Sequence, residues 1–192
     1  MFNSKKILQL LALSSLITMS SAGASTAAEK RIFGLHEKLY IADIGLELDA
    51  KLDTGAQTAS LSARDIEQFS KDGKPWVRFR LAIDGAPANS FELPIVRISH
   101  IKRRSSNDEA EDSTAPDYIE RPVVLMTVYM GDQQHAIQVN LTDRSRFEFP
   151  VLLGSTALKQ FNAIIDPSIT YTTDVLYDAP SDTLQDTNES EH

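Results

Sequence analysis

The chain has 192 residues, with 19 Lys and Arg against 27 Asp and Glu, a formal charge of −8 and no cysteine. An acidic balance argues against nucleic acid as a partner, and the lack of cysteine excludes disulfides, thiolate metal sites and a cysteine-linked lipid anchor. Stability must come from an ordinary hydrophobic core.

Residues 1–24 read as a secretory signal peptide. Lys5-Lys6 precede the apolar run Ile7 to Ile17, which is too short to span a bilayer, and Ala22-Gly23-Ala24 supplies the small-x-small pattern of a cleavage site. Removal of Lys5 and Lys6 leaves 17 basic against 27 acidic residues, a charge of −10. The expected destination is the periplasm or the exterior, with no stable membrane insertion after cleavage. About 165 residues then remain, enough for one domain with a real core. Residues 25–34 read as a linker, 35–173 as the domain and 174–192 as an acidic, disordered tail.

From Leu39 the pattern is β. Leu39-Tyr40-Ile41 and Leu46 to Asp53 alternate apolar with polar residues across a turn at Asp43-Ile44-Gly45. Asp53 falls on the polar register where Thr54-Gly55 bends the chain. A glycine there gives backbone freedom and Thr54 can bond neighbouring backbone, so the carboxylate would be held on a firm loop at a strand end. The same tripeptide is also ordinary turn chemistry, and alone it does not decide between the two.

The small residues Ala56 to Ala63 allow close backbone packing, and Arg64 to Ser70 read as a short helical turn. Trp76 to Ile83 alternates, turns at Asp84-Gly85 and returns through Phe91 to Ile101, with Pro94 predicting an edge position. Lys102-Arg103-Arg104 and the polar stretch Ser105 to Asp117 read as a mobile solvated loop. Val123 to Met130 and His135 to Leu141 form a hairpin across Gly131-Asp132. Val151-Leu152-Leu153 ends at Gly154. Ser155 is a candidate cap for a helix over Thr156 to Phe161, with Leu158 and Phe161 inward. Ala163-Ile164-Ile165 reads as a last buried strand, stopped by Asp166-Pro167.

Three blocks then read together. Ala50 to Thr58, Arg121-Pro122-Val123-Val124, and Leu141-Thr142-Asp143-Arg144-Ser145 through Phe149 to Gly154 resemble the bacterial, RimK-associated family labelled "ATP-dependent zinc protease", which is regarded as retropepsin-like. The resemblance covers residues 35 to 172. It implies a mainly β, closed retropepsin-like barrel with one short helix near the C-terminus. Asp53 would be the catalytic residue on a loop supported by Thr54, Gly55 and Ala56, with Leu152, Leu153 and Gly154 crossing beneath. Two departures stand out: Gln57 and Ser155 occupy positions where the family tends to carry Arg.

An aspartic peptidase needs two carboxylates sharing one proton, because like charges so close cannot both ionise. The chain has one Asp-Thr-Gly, and Asp166-Pro167 lacks a comparable loop and reads as a turn. The retropepsin solution is a homodimer giving one Asp53 from each copy. The expected function is an exported aspartic endopeptidase acting on a protein or peptide. The alternative is a binding or regulatory module of the same fold with weak or no catalysis. A flap would lie at the Asp84-Gly85 hairpin or in the loop after Ile101. No cofactor is expected: His36-Glu37 would need a histidine where Tyr40 stands, the other histidines are scattered, and no glycine-rich phosphate loop with its Lys and Ser or Thr exists, so neither zinc nor ATP is supported.

Overall fold

A computed structural model describes residues 29–102 and 118–174. The expected signal peptide, the loop residues 103–117 and the tail beyond residue 174 lie outside the described residues.

The alternating stretch that ends at Asp53 is strand β3 (Leu46–Asp53), antiparallel to β2 (His36–Ile41), and the turn between them is closed by Gly45 at φ 68°. Ala50 and Leu52 point to the core while Lys51 and Asp53 take the opposite face, as a two-residue period requires. Strand β4 (Ala59–Lys71) continues past the small residues, followed by β5 (Lys74–Leu81), β6 (Phe91–Lys102), β7 (Tyr118–Met130), β8 (Gln133–Thr142) and β9 (Val151–Gly154). Neighbours run β2-β3-β9-β4-β5-β6-β7-β8, and the further pairings β2 with β7 and β4 with β8 turn the sheet into a ring of strands. The single helix α1 (Ser155–Gln160) follows β9, with Leu158 and Phe161 buried as expected. Inside the ring sit fully buried side chains such as Leu39, Leu52, Leu61, Phe79, Met126 and Leu141.

Several expectations need correction. Residues 64–70, read as a helical turn, belong to β4. The ladder between β4 and β5 slips between Arg64 and Glu67, where Asp65 takes φ 51°, so the period of two is broken locally and the strand is disguised. The turn that closes this hairpin is Asp72-Gly73, both residues left-handed, a strong hairpin signal that the sequence carried. Pro94 is not on the rim of the sheet. It marks the handover at which β6 leaves β5 and begins pairing with β7.

The expected linker contributes β1 (Arg31–Gly34), which pairs in parallel with β10 (Ala163–Asp166) as a separate two-stranded sheet. β10 is therefore not a buried strand: Ile164 is 48% exposed. Asp166 does act as a turn residue, its Oδ1 accepting the N–H of Ser168 at 2.8 Å and its hydroxyl at 2.6 Å.

A buried carboxylate fastens the end of the domain. Glu37, wholly buried, accepts the N–H of Gly34 at 2.6 Å and that of Thr172 at 2.9 Å, together with the Thr172 hydroxyl. The Gly34 N–H is buried away from water, so the carboxylate satisfies a donor that burial would otherwise penalise, and it ties Thr172 to the same point. Glu37→Leu keeps the volume and removes every acceptor. It is expected to cost about 3 kcal/mol, on the scale of charged hydrogen bonds and stranded buried donors, read from urea unfolding.

Candidate active site

The site begins with the backbone. β9 is threaded between β3 and β4: it runs parallel to β3, with Leu52 opposite Leu153 and Asp53 opposite Gly154, and antiparallel to β4, with Ser60 opposite Leu152. The candidate residues Asp53, Thr54, Gly55 and Ala56 are thus brought against Leu152, Leu153 and Gly154. Leu153 is fully buried and Leu152 half-buried, while Thr54 is exposed.

Asp53 is half-buried at the end of its strand. Its Oδ1 accepts the N–H of Gly55 at 2.9 Å and that of Ala56 at 3.2 Å. These two bonds fix the rotation of the carboxylate. The other carboxylate oxygen, Oδ2, has no hydrogen-bond donor among the described residues. Gly55 does not use left-handed backbone, contrary to the expected need for conformational freedom. A Cβ there would stand 3.3 Å from Asp53 Oδ1, so the glycine serves to make room.

Gly154 is more tightly constrained. A Cβ on it would come within 2.7 Å of the Gln57 carbonyl carbon and 2.8 Å of its oxygen, both backbone atoms. Immediately after it, the N–H of Ser155 donates to the Ala56 carbonyl at 2.7 Å and that of Thr156 to the Gln57 carbonyl at 3.1 Å. Ser155 is not the helix cap: Gly154 occupies that position without a side-chain bond, and the loop beyond Asp53 supplies the acceptors. The Asp53 loop and the first turn of α1 are one backbone unit.

Two arginines to which motif reading assigned no role lie beside this unit. Arg144, just beyond β8, donates from Nη1 to Ser60 Oγ at 3.1 Å and from Nε to the Phe149 carbonyl at 3.4 Å. Its backbone N–H donates to Ser62 Oγ at 3.1 Å, and Ser62 in turn donates to the Ala82 carbonyl. Burial holds the Arg144 guanidinium below its usual range; the charge of Arg121 works in the same direction and the carboxylate of Asp53 in the opposite one. Burial also lowers Arg121. Both stand in the sequence blocks that carry the family resemblance. Only the fold shows that they share a face with Asp53.

Of the two segments expected to cover the site, the Asp84 turn lines a cavity of about 250 Å³ with Ser62, Arg144 and Phe147. The loop after Ile101 lies outside the described residues beyond Lys102. Gln57 and Thr58 line a polar cleft with Arg97, Gln138 and Thr156. Among the described residues, no group of three or more His, Asp and Glu side chains is arranged to hold a metal ion.

A ring of strands in which an Asp-Thr-Gly loop is stapled to a Leu-Leu-Gly strand and a short helix defines a retropepsin-like protein. The chain belongs to the RimB-like family of retropepsin-like aspartic endopeptidases, whose profile matches residues 32–175. It is similar to a crystal structure of a protein of unknown function (DUF785) from Legionella pneumophila, with 39% identity, a TM-score of 0.61, and coverage of 76% of this chain and all of the other. It is also 29% identical over 144 residues to a probable alpha-L-glutamate ligase of Desulfotalea psychrophila, covering 73% of this chain and 29% of that protein. A probable alpha-L-glutamate ligase of Shewanella pealeana is 30% identical over 145 residues, with 72% and 29% covered. The chain therefore spans under a third of the length of these curated relatives.

Gly154→Ala forces a methyl group into backbone that cannot yield. It is expected to cost about 3 kcal/mol, the upper part of the overpacking range, measured by urea unfolding. The same substitution should displace the Asp53 loop, seen as chemical-shift changes at the Gly55 and Ala56 amides.

Proposed function

We propose that this chain is an exported aspartic endopeptidase that cuts a peptide bond with water activated by two Asp53 carboxylates, one from each of two copies. The observation that carries the reading is the mounting of Asp53, with one oxygen fixed by two backbone N–H groups and the other open. A catalytic carboxylate needs that combination of fixed geometry and access. Membership of an endopeptidase family supports the reaction class.

The second carboxylate must come from elsewhere, because the other sequence candidate, Asp166, is committed to the turn with Ser168. In the paired site the two carboxylates share one proton. The ionised member takes a proton from water, the protonated member hydrogen-bonds the scissile carbonyl, and the water oxygen attacks the carbonyl carbon. Thr54, exposed beside Asp53, is placed to meet the second copy, and Leu152 to Gly154 hold the loop from below. Residues 1–24 carry the export signal.

The second reading, a binding or regulatory module of the same fold, draws on Gln57 and Ser155, which leave the loop and the helix start without the cations the family tends to place there. One pair of measurements separates the two. Asp53→Asn should lower kcat/KM on a peptide library by at least about 10³-fold, a loss typical of removing a residue from a unit that acts together. Sedimentation should show activity rising with the dimer fraction. Cleavage that survives the substitution, or a fully active monomer, would refute the shared dyad; a folded dimer without any cleavage would favour the binding module.

A further inference from the structure

Ser62 uses every hydrogen-bonding group it has, and spends them on two loops. It is buried on β4, two residues beyond Ser60 and so on the face that Ser60 and Leu152 share with Lys51 and Asp53. Its N–H donates to the Pro150 carbonyl at 2.8 Å, and its Oγ accepts the N–H of Arg144 at 3.1 Å. One residue therefore closes both ends of the loop from Arg144 to Pro150. On its other side the Ser62 carbonyl accepts the N–H of Ala82 at 3.1 Å, and its hydroxyl donates to the Ala82 carbonyl at 2.9 Å. Ala82 leads into the turn at Asp84-Gly85, so the two segments that wall the cavity of about 250 Å³ meet at a single buried serine.

The loop is held at its ends and open in its middle. Within it the Phe147 N–H donates to the Arg144 carbonyl at 2.8 Å, and the Ser145 N–H to Asp143 Oδ1 at 2.8 Å. Phe149 is buried, its ring stacked on His36 at 4.1 Å. Ser145 to Glu148 are exposed, and Phe147 is 62% exposed, with the Arg144 guanidinium 4.7 Å from the centre of its ring. Phe147 and Phe149 line a second cavity, of about 230 Å³, with His36 and Lys51. Lys51 precedes Asp53 by two positions on β3, so the middle of the loop borders the strand that carries the candidate carboxylate.

A buried hydroxyl that donates to one segment and accepts from another fixes the two relative to each other. An exposed aromatic ring on a short closed loop can hold a chain laid across it only as firmly as the ends of the loop are held. We propose that Ser62 is a positioning residue for peptide binding: by holding Arg144 and Pro150 against Ala82, it sets Phe147 where a peptide bound across Asp53 passes. The passing peptide rests on the peptidase reading above; the pinning of the loop does not.

The test uses the full chain and trypsin under native conditions, with each nick assigned by fragment mass and the nick after the exposed Arg146 as the report on the loop. Ser62→Ala removes the hydroxyl and keeps both backbone bonds. It should speed that nick at least about tenfold by opening the loop locally, while the nick after Lys71, on the β4–β5 hairpin, changes less than about twofold. Ser62→Thr, which keeps a hydroxyl, should restore part of the protection. On a peptide that the parent chain cuts, Ser62→Ala should raise KM at least about fivefold with kcat within about twofold, because Asp53 keeps its own bonds to Gly55 and Ala56. Phe147→Ala should raise KM likewise, and the double substitution should exceed the larger single effect by less than about twofold, as when one residue acts through the other. An Arg146 nick that does not respond, or that rises together with the Lys71 nick, would overturn the proposal, as would a fall in kcat at unchanged KM or KM effects that multiply. Failure of the peptidase reading would show instead as no cleavage by the parent chain with the Arg146 response intact, which removes the role in peptide binding and leaves only the pinned loop.

Discussion

The whole site depends on one close passage of backbone past backbone. Gly154 runs so near the Gln57 and Thr58 main chain that no side chain fits between them, and the next two N–H groups bond the carbonyls of Ala56 and Gln57. Asp53 is therefore positioned by a segment about a hundred residues later in the chain, and among the described residues it has no salt bridge. A loop fixed by its own peptide groups has few rotamers to lose on binding and little room to drift, which suits a reacting carboxylate better than a flexible side-chain tether. The ring of strands exists, functionally, to bring β9 between β3 and β4.

That same passage explains what was legible from sequence. The alternation ending at Asp53, the hairpin across Gly131-Asp132 and the Leu-Leu-Gly strand were readable because each is a local pattern with a local cause. The extension of β4 was not, because the slip at Asp65 breaks its period, although Asp72-Gly73 announced the turn. β1 was hidden for a different reason: four residues acquire strand geometry only through β10, which lies some 130 positions away. Ser155 looked like a cap because serine usually is one. Here the acceptors come from across the fold, and a residue string does not report what stands opposite it.

The arginines near Asp53 show the same limit in electrostatic terms. The acidic composition argues against nucleic acid as a partner, yet composition averages over a surface. Net charge governs the far field, while a cleft with walls of low polarity is governed by the few charges that line it. Among the described residues, exposed acids are tied to Arg78, Lys38 and Arg31, whereas neither Arg121 nor Arg144 joins an ion pair.

Those cations also bear on how two Asp53 groups would share one site. Bringing two carboxylates together raises the cost of ionising both, and a dyad answers that cost by retaining a proton. A guanidinium beside a carboxylate offsets part of such repulsion. Asp53 is the carboxylate whose field reaches Arg144, against burial and against Arg121.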